Sequence, residues 1–489
     1  MWKMALAAAA AAQFCFAANA SAATYELVVN NGRVIDPETG LDAVRHVGIS
    51  KGAIAKISKR PLNGAMAIDA EGLVVAPGFI DRNTYVLGPE LFRLRAADGV
   101  TTVFNFEEGA NDVPAAYAAL KGEALINYGF SSSWGGARLA VLGETPPKIN
   151  KGVAELGNIG PDELEKIANA PLDKDQLAAV LAIVEQGLKD GAPAVGLGIE
   201  YMPGATMTEV MAVFELAARY GRAAQVHPRK WDATSDYAYI YEPIAGALLA
   251  GAAVHVSHLN SSAADYVERN LKQLDAARAA GVAVTAECYP YTAGMNDIRS
   301  EMWADWRDWP EERFRNYQWS ATGERLSRES FEKYREKGGL IIIHWMKDEW
   351  VDACVAHPET QIASDGGWDE GGGHPRDAGT FSRVLGRYVR ETGRLSLPAA
   401  IRKMSYLPAK SLEDAAPQMA RKGRLQEGMD ADIVVFDPAT VLDLATYAQP
   451  RLAPEGIEWV IVGGVAIMTP DGFIEGANPG KAIRLPDIN

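Results

Sequence analysis

Cysteine is scarce: Cys15, Cys288 and Cys354 are the only three in 489 residues. That number excludes a disulfide scaffold, and only Cys288 and Cys354 are left to pair if the N-terminal segment is removed. Basic clusters are missing too. Lys and Arg total 48 against 63 Asp and Glu, a net charge of −15, with no basic block longer than a pair or so. Nucleic acid is gripped mainly by phosphate neutralisation, so nucleic-acid binding is not expected. After residue 23 no apolar run approaches the ~18 residues that span a bilayer, so a membrane span is not expected there either. Extensive disorder is excluded by composition, since 48% of residues are hydrophobic and only 23% charged.

What is present begins with an Ala-rich N-terminus. Residues 1–22 carry one Lys, an apolar stretch and small-residue A-x-A sites at Ala18-Asn19-Ala20 and Ala20-Ser21-Ala22. This is the pattern of a secretory signal, the competing reading being an N-terminal helix or anchor. The expectation is an exported protein, periplasmic or secreted.

Residues 23–72 are β-rich. Asn30, Asn31 and Gly32 between Val-rich pieces predict a strand–turn–strand unit. Residues 416–489 carry similar short β pieces, so the two ends are expected to build one small β domain around a larger middle. That middle, residues 73–415, alternates short apolar runs with helical stretches. Strands are predicted at 73–80, 101–106, 128–132, 194–199, 223–227, 253–258, 282–287 and 361–365. Eight such strands spaced by helices predict an α/β fold, a (β/α)8 TIM-like barrel with catalytic groups at the strand C-termini. A ninth run at 340–344 follows a Trp-rich stretch, so residues ~292–350 are read as an insertion before the last strand, a lid in form.

Chemistry is sought in titratable side chains that end apolar strands, because they face the barrel mouth and burying them unpaired is costly. Glu107 or Glu108, His227, His258 and Asp365 fit. His227 and His258 are one βα repeat apart and project from adjacent strands, and imidazoles with a carboxylate suit Zn²⁺ or a similar ion. His255, on the opposite strand face from His258, reads as structural, and His46, His344 and His357 as packed or solvated.

These residues carry a family resemblance. VAPGFID at 75–81 resembles the first-strand segment of the amidohydrolase superfamily. GLGIEYMPG at 196–204, ECYPYTAG at 287–294, HPRDAGTF at 374–381 and GMDADIVVFDP at 428–438 resemble N-acyl-D-amino-acid deacylases; DPETG at 36–40 and the Glu in the second strand are most similar to the N-acyl-D-glutamate deacylase branch. The resemblance implies hydrolysis of the amide of an N-acyl-D-amino acid, with N-acyl-D-glutamate as one candidate. It implies that Glu107, His227 and His258 hold one zinc, that Asp365 is the general base, and that Arg376 grips the substrate carboxylate. Tyr289, Tyr291 and His374 are implied to contact substrate, with core packing the equal alternative for one of the two tyrosines. One register step separates Glu107 from Glu108, and Glu107 is expected to point inward. The family's first strand normally ends in His-x-His, whereas Asn83 and Tyr85 stand here, so a second metal is not expected. Asn260 replaces a common Lys. Competing readings are a cyclic-amide or other amide or lactone hydrolase on the same scaffold, or a non-catalytic binding homologue.

Overall fold

The computed structural model describes residues 25–85, 87–155, 159–229, 238–369 and 372–488. The expected signal segment, residues 1–22, lies outside the described residues. Among the described residues no helix is long and apolar enough to cross a membrane.

Eight parallel strands form the middle of the molecule, and we number them β1 to β8. They are β1 Phe79–Asp81, β2 Val100–Ala110, β3 Asn127–Ser133, β4 Ala194–Gly198, β5 Ala223–His227, β6 Ala253–Val256, β7 Val284–Cys288 and β8 Thr360–Ile362. Each hydrogen-bonds to its sequence neighbour. Helices between them cover the outside, so the strands are buried on both faces and read as apolar runs. β8 meets β1 through a bridge between Thr84 and Gly366. The Asp365 N–H donates to the Asn83 carbonyl at 2.8 Å, and the Tyr85 N–H to the Gly366 carbonyl at 2.8 Å. The expected barrel is therefore present, and the first and last strands meet at the C-terminal ends of the strands.

A nine-stranded sheet packs beside it, five strands from the N-terminal side and four from the C-terminal side. Its seam is the antiparallel pairing of Val74–Pro77 with Ile433–Phe436. This corrects the sequence reading, which ran residues 73–80 together as one barrel strand. The chain changes sheets at Gly78, where a Cβ would lie 2.2 Å from Thr101 Oγ1, so only glycine fits. A second correction concerns residues 30–32. They make no turn: Tyr25–Asp36 is one strand with a register shift between Val29 and Gly32, and Asn31 takes φ 65°. The kink lets the strand pair with Gly64–Asp69 before it and Val74–Pro77 after it.

The stretch read as an insertion carries its own three-stranded sheet, Ala293–Asp297, Leu340–His344 and Tyr317–Trp319. Trp303, Trp306, Trp309 and Trp319 are buried in its private core with Phe314 and Phe331. A disulfide joins Cys288, the last residue of β7, to Cys354 on the helix Asp348–Ala356, and so ties together the two ends of this excursion.

Candidate active site

Three strand ends converge on one buried cluster. Glu107 comes from β2, His227 is the last residue of β5, and His258 follows β6 by two residues. Glu107 Oε1 lies 2.9 Å from His227 Nδ1, and Glu107 Oε2 lies 3.2 Å from His258 Nε2. One ligand atom from each of the three lies within 4.8 Å of the others. The bend that aims Glu107 inward is a register irregularity of β2 between Asn105 and Ala110, where Gly109 takes φ 77°. Glu108 instead stands on the cavity wall and accepts from Asn105 Nδ2 at 3.2 Å.

Two imidazoles and one carboxylate are a donor set that suits zinc, with room left for a reacting group. The charge balance also fits a cation. Burial opposes ionisation, yet the imidazoles of His258 and His227 hold Glu107 well below the usual carboxylate range. Burial likewise opposes charge on His227, but Glu107 and Glu200 raise it to about 10. The cluster thus holds a proton where carboxylates converge, and a divalent ion answers the same demand.

Glu200 was not singled out from the sequence. It lies on the 3₁₀ turn Ile199–Tyr201 just past β4, and its Oε2 is 2.6 Å from His227 Nε2. Its position after a strand end, inside the GLGIEYMPG motif, was the available signal.

Asp365 follows β8 and faces the cluster from the opposite wall. Its φ of 51° and the 32° of His258 lie in the left-handed region that non-glycine residues rarely adopt, a pattern that gathers at functional sites. Tyr85 donates to Asp365 Oδ1 at 3.1 Å, and Arg376 Nη1 lies 2.7 Å from Oδ2. Burial raises the Asp365 carboxyl against the pull of Arg376. Arg376 is itself buried, with its guanidinium carbon 4.6 Å from the Tyr289 ring centre and its Nε without a hydrogen-bond partner among the described residues.

These groups open on a cavity of about 890 Å³ whose far wall includes Met295, Trp303 and Trp345 of the insertion. Glu107, His227, His258, Tyr289, Asp365 and Arg376 all line it. Tyr291 and His374 are not among the residues that line it, and of the two tyrosines Tyr291 is the one that packs. His374 is fully buried: its Nδ1 accepts from the Arg376 N–H at 3.0 Å and its Nε2 donates to the Ala293 carbonyl at 3.0 Å. Tyr291 packs under Arg383 and donates to the Pro375 carbonyl at 3.4 Å. Both brace the turn that carries Arg376. His255, read as structural, is paired with Glu287 at 3.0 Å inside the barrel.

A barrel that gathers two imidazoles and a carboxylate at its strand ends, with a further acid in the same cavity, is the arrangement of an amidohydrolase-type hydrolase, and the chain belongs to the Amidohydrolase family, whose sequence profile matches residues 156–468. Among particular relatives, it is 33% identical to the N-acyl-D-glutamate deacylase of Alcaligenes xylosoxydans xylosoxydans, over 90% of this chain and 93% of that one. The D-aminoacylase of the same organism is 28% identical over 94% and 97%. The structure of the Bordetella bronchiseptica N-acyl-D-glutamate deacylase, in complex with zinc and a phosphonate mimic of the tetrahedral intermediate, superposes with a TM-score of 0.78. It is 26% identical and covers 95% of this chain and 100% of its own.

Proposed function

We propose that this protein is a zinc-dependent deacylase that hydrolyses the amide of an N-acyl-D-amino acid, N-acyl-D-glutamate among them, releasing a carboxylate and the free D-amino acid. The observation that carries this reading is the meeting of three parts in one cavity: a cluster of two imidazoles and a carboxylate able to hold a metal ion, a further buried acid, and a buried guanidinium whose Nε has no hydrogen-bond partner among the described residues. The zinc-bound relative supports the choice of metal, and the deacylase relatives support the substrate class.

Glu107, His227 and His258 would hold a divalent ion, which when bound would supply Lewis acidity to the reaction. The chain's own groups do the rest. Arg376 holds the α-carboxylate, for which a planar fork backed by the Tyr289 ring is well matched. Asp365 takes the proton from the attacking water and returns it to the amide nitrogen as the C–N bond breaks. Burial pushes its carboxyl above the usual carboxylate range, which favours the return of that proton in the second half of the task. The insertion supplies the far wall of the cavity through Met295, Trp303 and Trp345.

A single metal is part of the proposal, since Asn83 and Tyr85 stand where two further imidazoles would be needed. So is export: the Cys288–Cys354 disulfide is of a kind that persists in oxidising compartments, and the Ala-rich N-terminus reads as a signal. A panel of N-acetylated D- and L-amino acids tests the function. Release of free amino acid from D substrates only, with N-acetyl-D-glutamate among those cleaved, is the expected result. Equal cleavage of L substrates, or cleavage only of cyclic amides, overturns it.

A further inference from the structure

The two residues that replace the first-strand histidines are both engaged with the catalytic carboxylates. Asn83 Nδ2 donates to Glu107 Oε2 at 2.9 Å, and Tyr85 Oη donates to Asp365 Oδ1 at 3.1 Å. The same strand end also fixes the backbone of the acid, because the Asp365 N–H donates to the Asn83 carbonyl and the Tyr85 N–H to that of Gly366. Asn83 is fully buried and Tyr85 lines the cavity.

We propose that Asn83 and Tyr85 stand in for a second cation: an amide proton and a phenol proton occupy the sides of Glu107 and Asp365 that face the first strand, and Tyr85 is a positioning residue that holds the general base. This rests on the proposed deacylase reading of the same site. A carboxylate oxygen has two lone-pair directions, so an acid held by Tyr85 on Oδ1 and Arg376 on Oδ2 keeps a free direction on each for the water proton. Arg376 turns part of its fork to the substrate carboxylate when substrate enters. Tyr85 then becomes the donor that keeps Asp365 in its left-handed, strained backbone setting and aimed at the cluster. Neither an amide nor a neutral phenol matches imidazole as a zinc ligand, so the pair satisfies these oxygens without recruiting a second ion.

Metal-depleted protein titrated with zinc gives the first readout. The wild type is expected to take up one equivalent, with activity flat at excess zinc, and the double variant Asn83→His, Tyr85→His to take up a second. Tyr85→Phe is expected to retain wild-type zinc content, lose kcat by roughly 10–100-fold, and bind a phosphonate mimic of the tetrahedral intermediate more weakly by a similar factor. KM should move by no more than about threefold, which separates a positioning role from general loss of binding. Two equivalents in the wild type, or a Tyr85→Phe variant with unchanged kcat and phosphonate affinity, overturns the proposal. Should the wild type bind zinc yet cleave no acylated amino acid, the deacylase reading fails, and the zinc stoichiometries of wild type and double variant still decide this one.

Discussion

At the scale of single residues, His227 is the most constrained side chain of the site, with a carboxylate on each ring nitrogen: Glu107 on Nδ1 and Glu200 on Nε2. When Nε2–H donates to Glu200, the Nδ1 lone pair is left free for a cation, and the negative partner raises the basicity of that nitrogen. Glu200→Gln keeps the shape and removes the charge. It is expected to weaken zinc affinity by roughly 10–100-fold, read by competition against a chelator, while an unchanged affinity contradicts the orienting role. Asp365 makes the complementary case. Asp365→Asn is expected to lower kcat by about 10²–10⁴-fold with zinc content unchanged, because the amide accepts no proton from water. A variant that loses its zinc together with its activity would show Asp365 to be a ligand and remove it from the role of base.

At the scale of elements, the helices Trp134–Leu142 and Met207–Arg219 are locked by a buried pair, Arg138 and Glu209, with Nη1 2.7 Å from both carboxylate oxygens. Trp134 Nε1 donates to the same carboxylate at 2.9 Å, and Arg138 Nη2 reaches the Ala170 carbonyl at 2.6 Å. Glu209→Ala leaves a guanidinium buried without its partner and is expected to cost about 3–5 kcal/mol in denaturant unfolding. A loss below about 1 kcal/mol would mean that water reaches this site. The elements also show where sequence reading succeeds. Strands β2 to β8 were legible as largely buried runs set between helical stretches, and polar residues at or just past the ends of β2, β5, β6 and β8 picked out Glu107, His227, His258 and Asp365. The first strand was misjudged because residues 74–80, VVAPGFI, carry no polar side chain, and nothing in that pattern says that the chain leaves one sheet for another at Gly78. The roles of Asn83, Tyr85 and Glu200 were hidden for a different reason. Each depends on a partner 24 to 280 residues away, met only once the barrel is closed. Tyr291 shares a motif with Tyr289, and His374 with Arg376, and a motif does not distinguish the side chain that lines the cavity from the one that props it.

At the scale of the whole molecule, the barrel is held closed by contacts far apart in sequence. The β sheet is sewn from both ends of the chain, and a disulfide spans the 66 residues that contain the Trp-rich insertion. A loop of that length makes the bridge worth about 4 kcal/mol on the chain-entropy model. The paired variant Cys288→Ala, Cys354→Ala is therefore expected to unfold at lower denaturant, with the insertion the first part to become sensitive to protease. An unchanged midpoint would show that packing of the insertion core alone holds it in place. The molecule is at the same time a scaffold for one charge problem, the gathering of Glu107, Glu200, Asp365 and two imidazoles at the mouth of the barrel. The most direct measurement of that claim is the release of D-glutamate from N-acetyl-D-glutamate by protein stripped of metal with a chelator and then returned to zinc. The account predicts activity lost on stripping and restored by zinc in the wild type but not in Glu107→Ala. Undiminished turnover by the stripped protein, or restoration in Glu107→Ala, would contradict it.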